Sequence, residues 1–305
     1  MQTKPILILV IASLFLLTIQ PLHASENLTI ATWNIYWLTD SKHNQREANH
    51  YDRLKYYARL LDADVIALQE VENTSQARQV FGTEYEYYFS NRRGGPGTQR
   101  VGVAIRKTTS LTVSSVREYK DLDVGGVRYG LDLILTRNDL SIRLLVVHLK
   151  SGCFSENLAE TATVNFSQKK KKACEKLRKQ RQALEQWIDM RATETIPFVV
   201  LGDFNRRFEI EDVKQYTDDQ GLWPAIDDPE SDNPYEDLTR INDDFKPQCW
   251  NSKFGHYIDH IVIDPRAKSL VISNSFRELV YEETSYQKYY KFLSDHCPIS
   301  IKLAM

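Results

Sequence analysis

An α/β fold is predicted by three features of this chain of 305 residues: β-branched apolar runs recur along it, two stretches place apolar residues at helical spacing, and a polar side chain marks where many of the runs stop. Short apolar runs read as strands, whereas apolar residues three or four apart read as a helix packed by one face. Leu28 to Ile35 is the first strand, with Asn34 at its end. Tyr51, Leu54, Ala58 and Leu61 mark a helix that packs on a sheet, and Asp64 to Val71 is a strand that carries Glu70 out of its C-terminal end. Gly94-Gly-Pro-Gly97 is a turn. It is followed by short strands near Val101–Arg106, Leu111–Glu118, Gly130–Thr136 and Ile142–His148, mostly spaced as hairpins. After a polar excursion over 153–172, Leu177, Leu184, Trp187 and Ile188 give a second amphipathic helix whose other face is basic. Ile196 to Leu201 is a buried strand ending at Asp203, residues 206–253 form an irregular insertion, and Tyr257–Asp264 and Cys297–Leu303 are the last strands.

The first two dozen residues differ in kind. Lys4 is a short positive region, Ile6 to Ile19 is almost unbrokenly apolar, and Pro21-Leu-His-Ala24 ends in a small residue like a cleavage region. That run is shorter than the roughly 20 residues a bilayer span needs, so residues 1–24 are expected to be a secretory signal peptide rather than an anchor. The mature chain, 25–305, is then one domain, secreted or periplasmic, with no stable membrane insertion. The full chain's 42% hydrophobic content is enough for one large core or two smaller ones.

Export would place Cys153, Cys174, Cys249 and Cys297 where disulfides persist. Cys153 with Cys174 is the natural local pair, which leaves Cys249 with Cys297, although Cys297 could equally be a buried thiol inside its strand. Zinc-site spacings are absent. The formal charge of −2 neither favours nor excludes nucleic acid, but its distribution is uneven. Residues 169–181 are dense in Lys and Arg, and 209–244 are acidic. The basic run reads either as a nucleic-acid contact or as a solvated helix face. The acidic segment reads as a solvated surface loop, with a Ca²⁺ site as the alternative. Trp33 and Trp37 are expected to pack in the core, and Trp223 and Trp250 remain candidates for stacking on bases.

Six short strings carry the chemistry in order: TWNIYW around Asn34, LQEVE around Glu70, HLKSG around His148, LGDFN around Asp203 and Asn205, YIDHIVI around Asp259, and SDHCPISIKL around Asp295 and His296. Together they supply imidazoles, carboxylates and carboxamides, the groups that metal-assisted attack of water on a phosphate ester requires. The set resembles the endonuclease/exonuclease/phosphatase superfamily, DNase I-like enzymes of the secreted bacterial type, from about Leu28 to Leu303. The resemblance implies a four-layer α/β/β/α sandwich, which periodicity alone does not choose.

It also implies roles. Glu70 matches the metal-binding glutamate, with Asn34 and Asp295 completing or flanking a Mg²⁺ site that Mn²⁺ or Ca²⁺ could also fill. His296 matches the base toward water, and Asp259 matches the carboxylate that holds its tautomer. Asp203 and Asn205 would bind the attacking water and the phosphate oxygens, Arg128 resembles a phosphate-contacting arginine, and His148 would donate to the phosphate or the leaving oxygen. In the DNase I group a glutamate pairs with this last histidine; Gln99 stands at the matching place. His260 should face the other way and be structural. The implied enzyme is a monomeric nuclease acting on DNA, with RNA as a further candidate substrate and a sphingomyelinase-like or inositol phosphate phosphoesterase as the alternative.

Overall fold

The computed structural model describes residues 27–42, 46–160, 165–228 and 233–305, so the predicted signal peptide lies outside the described residues. In chain order the elements are β1 (Leu28–Leu38), α1 (Ala48–Leu61), β2 (Val65–Val71), α2 (Thr74–Phe81), β3 (Tyr85–Phe89), β4 (Arg100–Arg106), β5 (Thr112–Tyr119), β6 (Gly130–Arg137) and β7 (Leu140–His148). They continue with α3 (Gln168–Ala192), β8 (Phe198–Asp203), α4 (Phe208–Lys214), β9 (Thr239–Arg240), β10 (Asp259–Ile263), β11 (Arg277–Glu278) and β12 (Ile299–Leu303). Two mixed sheets result, ordered β11-β12-β1-β2-β4-β3 and β5-β6-β7-β8-β10-β9. Each holds one parallel pair, β1 with β2 and β7 with β8. A parallel pair needs a crossover, and α1 and α3 provide the two.

The alternation of side chains along each strand builds the layers. Ile30, Val65, Val103, Leu133, Leu144, Val146, Leu201 and Ile301 fill the space between the sheets. Their outward-facing neighbours, among them Trp33, Ile66 and Leu68, pack under α1 through Leu54, Tyr57 and Leu61. On the opposite side Val147 and Val200 pack under α3 through Leu177, Leu184 and Trp187. The order is therefore helix, sheet, sheet, helix, as the resemblance implied.

Among the described elements, α2, β3, α4, β9 and β11 had no counterpart in the sequence reading. Asn73 accepts a hydrogen bond from the Gln76 amide and caps α2, whose Ala77, Val80 and Phe81 are buried before Gly82 turns the chain with φ +81° into β3. The acidic segment keeps most of its described carboxylates in solvent, as expected, but several of its apolar side chains do not stay at the surface. Phe208, Leu222, Trp223, Ile226 and Leu238 are buried against the α3 layer. Glu211 is fully buried and paired with Arg206. Trp223 and Trp250 are buried too, which removes them as stacking platforms. The lysine run occupies the first turns of α3, where the Ser167 hydroxyl accepts from the Lys170 amide and the Lys170 ammonium pairs with Glu156. Among the described residues, no helix is long and apolar enough to cross a membrane.

The cysteines form Cys153–Cys174 and Cys249–Cys297, with Cα separations of 5.0 and 5.7 Å. The second closes the longer loop, 48 residues against 21. By the chain-entropy relation it should stabilise by about 4 kcal/mol and the first by about 3 kcal/mol. Cys249→Ala with Cys297→Ala is thus expected to lower the urea midpoint more than the corresponding change at Cys153 and Cys174. Free thiols titrated in the untreated native protein would contradict both pairings.

Candidate active site

Both parallel pairs end at one rim, and the antiparallel neighbours begin there. Asp203 ends β8 opposite His148 of β7 and Asp259 of β10. Asn34 lies in β1 just past Thr32, the last residue paired with β12, and its carbonyl accepts from the Ser294 hydroxyl, which brings the loop holding Asp295 and His296 alongside. A cavity of about 660 Å³ opens at this rim and is lined by Glu70, Arg128, His148, Asp203, Asn205, Asp259, Asp295 and His296. Asn34 lies beside it, its Nδ2 donating to Asp203 Oδ2 at 3.0 Å. Every residue singled out as a site candidate from sequence therefore converges on one place.

Irregular backbone aims several of these groups. The β1–β2 and β2–β4 registers both shift at the rim. Tyr36, Trp37 and Glu70 there adopt left-handed φ values of 39°, 50° and 60°. Such conformations cost roughly 1–3 kcal/mol each and persist only where neighbours hold them. The Trp37 amide donates to Glu70 Oε2 at 3.1 Å, and Gln99 Nε2 donates to the same oxygen at 2.6 Å. Gln99 is thus the partner of Glu70 and not of His148. Trp37, expected in the core, lines the cavity instead, together with Tyr36. Arg46 was missed by the sequence reading. Its guanidinium donates to the carbonyls of Ile35, Tyr36, Phe292 and Leu293, tying the end of β1 to the segment before Asp295.

His296 and Asp259 form a dyad, with Nδ1 to Oδ2 at 2.6 Å. The His296 amide donates to Ser294 Oγ, and its carbonyl accepts from the Tyr281 hydroxyl, which in turn accepts from Trp33 Nε1. The free nitrogen, Nε2, points into the cavity, 3.9 Å from Asp203 Oδ2 and 3.8 Å from Asp295 Oδ1. Burial alone would lower the pKa of His296, but Asp259, Asp295 and Asp203 outweigh it and hold the pKa well above the ordinary value. Burial pushes Asp203 up to about 7, with His296 opposing and Asp259 adding to the shift. The Asp203 Oδ1 also accepts from the Asn205 amide at 2.8 Å, and Asn205 Nδ2 donates to the Leu149 carbonyl.

His148 behaves differently. It is buried, and desolvation, Arg128 and His296 push its pKa well below the ordinary value, so its imidazole is neutral. Its Nε2 lies 3.3 Å from Asp203 Oδ2, while Nδ1 is buried without a hydrogen-bond partner. An Nε2–H can donate to a phosphate oxygen, and the lowered pKa disfavours the imidazolium in the free protein. Arg128 sits beneath, donating to the His148 and Leu149 carbonyls. His260 does face away: it donates through Nε2 to the Arg206 carbonyl, and burial pushes its pKa down to about 3.

The donor set fits a hard divalent cation. Burial raises the pKa of Glu70, and the charge of Asp295 adds to the shift, an arrangement that a nearby cation relieves.

The chain matches the Endonuclease/Exonuclease/phosphatase family over residues 31–296. Among solved structures it is similar to TDP2 of D. rerio complexed with single strand DNA product, at 20% identity and a TM-score of 0.60, covering 92% of this chain and 100% of that one. It is similar to the endonuclease/exonuclease/phosphatase from Bacteroides vulgatus, at 17% identity and TM-score 0.58, covering 91% and 98%. It is also similar to the human Nocturnin catalytic domain with bound sulfate, at 14% and 0.55, covering 90% and 93%. Likenesses at these identities speak for the fold. No curated protein matches. The family match spans most of the chain and includes every motif of the rim, so this chain belongs to the Endonuclease/Exonuclease/phosphatase family.

Proposed function

We propose that the protein is an exported, divalent-metal-dependent phosphodiesterase that hydrolyses DNA, and RNA as a second substrate, with water as the nucleophile. The observation that carries this reading is the His296–Asp259 dyad, whose open nitrogen faces Asp203 and Asp295 in a cavity that also holds Glu70 and Arg128. Glu70 and Asp295 would hold the cation, with Asn34 nearby, and the bound cation would supply charge stabilisation to the phosphate.

His296 Nε2 takes the proton of the attacking water as its oxygen bonds to phosphorus and the P–O bond to the leaving oxygen breaks, the leaving oxygen taking a proton from solvent, while Asp259 keeps the tautomer and stabilises the imidazolium that forms. Asp259, Asp295 and Asp203 raise the pKa of that imidazole, and positive charge beside Asp295 and Glu70 would lower it toward the neutral base. Asn34 and the Asn205 amide orient Asp203, which positions the water. Arg128 and the Nε2–H of His148 stabilise charge on the non-bridging oxygens.

The DNA preference is supported by the similarity to the TDP2 structure with its single strand DNA product. The two disulfides support export. The test is hydrolysis of plasmid, linear DNA, RNA and sphingomyelin with and without Mg²⁺. Relaxation of plasmid only with metal is expected; sphingomyelin turnover with DNA untouched would replace this reading with the lipid one.

Glu70→Gln should weaken activity and raise the Mg²⁺ requirement. Gln99→Ala, which frees the oxygen that Gln99 orients, should lower Mg²⁺ affinity by about 10- to 100-fold. Titrating activity against Mg²⁺ reads both. An unshifted midpoint in Glu70→Gln would remove Glu70 from the cation site, and one in Gln99→Ala would mean that the Trp37 amide alone orients it.

A further inference from the structure

A row of aromatic rings borders the cavity. Phe254, 39% exposed, meets Tyr286 edge-on at 5.4 Å. Tyr286 stacks on Tyr290 at 4.7 Å with their planes 12° apart, and Tyr290 meets Tyr36 edge-on at 5.4 Å. The two ends of the row, Phe254 and Tyr36, both line the cavity. Tyr286 and Tyr290 rest on the outer core of the first sheet and are half-buried, so each keeps an open part. Lysines lie over the row: Lys253 Nζ sits over the Tyr286 ring, 4.7 Å from its centre, and Lys291 Nζ over the Tyr290 ring at 5.8 Å. The backbone is strained at both ends. Tyr36 and Trp37 have left-handed φ, as do Trp250, Asn251 and Ser252 just before Lys253 and Phe254. Strain of this kind is kept where the side chains it aims have a use.

Resting on the phosphodiesterase reading above, we propose that Phe254, Tyr286, Tyr290 and Tyr36 form a stacking ledge for unpaired bases, so that the preferred substrate is single-stranded nucleic acid whose scissile phosphate enters the cavity. Every base offers a π-face, and phosphates complement the bordering lysines. A continuous duplex hides those faces within its own stack and gains little from the rings. The phenolic hydroxyls and half-buried rings suit bases better than they suit a bilayer, which calls for protruding apolar tips.

The experiment measures fluorescence anisotropy of labelled oligo(dT) and of a blunt DNA hairpin with the full mature chain in chelator, where no turnover occurs. Tyr290→Leu should weaken oligo(dT) binding roughly tenfold, Tyr290→Phe should bind like wild type, and the hairpin should lose little in either. Phe254→Leu, at an exposed position, gives a second reading that does not depend on the packing beneath Tyr290 and should also weaken oligo(dT) binding. Unchanged oligo(dT) affinity in both Leu variants would overturn the ledge. So would equal losses on oligo(dT) and hairpin, or wild type that sediments with sphingomyelin–phosphatidylcholine vesicles and ignores oligo(dT). Plasmid cleavage by wild type with Mg²⁺, in the same preparation, separates the two ideas: cleavage with an unaffected ledge variant leaves the nuclease reading standing, whereas wild type inert on DNA and RNA removes both.

Discussion

His296→Ala is expected to cut kcat on plasmid DNA by about 10²- to 10⁴-fold at saturating Mg²⁺, the span typical of a lost acid–base group. The fold should survive, because the contacts of His296 that serve the backbone, from its amide to Ser294 and from Tyr281 to its carbonyl, do not need the ring. Asp259→Asn tests the other half of the dyad. It keeps the shape but removes the carboxylate that, with Asp295 and Asp203, holds the imidazole pKa up. Its loss should be of similar order. Groups that act as a unit are non-additive, so the double variant should be little worse than His296→Ala alone. Multiplicative losses would mean that the two side chains act separately. Activity within a few fold of wild type in His296→Ala would remove this histidine as the base.

His148→Ala should behave differently. On the proposed reading, a buried His148 with a lowered pKa would contribute a hydrogen bond to charge on phosphate instead of a proton to a leaving group. That distinction was invisible in HLKSG, because the depressed pKa comes from Arg128, twenty residues earlier, and from burial. The strands that deliver site residues were legible because each is an apolar run ending at a polar side chain, as in LQEVE and LGDFN. Their stacking into helix, sheet, sheet and helix was carried by family resemblance, since alternation says which residues share a face and not which sheet they meet. The bulges at Tyr36, Trp37 and Glu70 could not be read either. Nothing local in TWNIYW distinguishes a Trp37 that lines the cavity from one in the core. The same holds for Gln99, whose partner Glu70 is twenty-nine residues away.

The sharpest departure from the sequence reading, Glu211 within the acidic segment, leads to the largest expected effect on stability. Both Arg206 and Glu211 are fully excluded from solvent. The Arg206 guanidinium also donates to the carbonyls of Cys153 and Glu156, while the Glu211 carboxylate accepts from the amides of Leu222 and Trp223. The Arg206 carbonyl accepts from His260 on β10. Arg206 directly follows Asn205, so this buried pair anchors the rim loop as well as the segment behind it. Removing one partner strands a charge without water, which typically costs about 3–5 kcal/mol. Glu211→Ala is therefore expected to lower the urea unfolding free energy by that amount and to loosen the loop that holds Asp203. Replacing both partners with apolar residues of similar volume, Arg206→Met with Glu211→Leu, leaves no orphaned charge and should recover much of the loss, although the amides of Leu222 and Trp223 would still lack their acceptor. A double variant no more stable than Glu211→Ala would mean that those amide bonds, and not the buried ion pair, dominate the anchor.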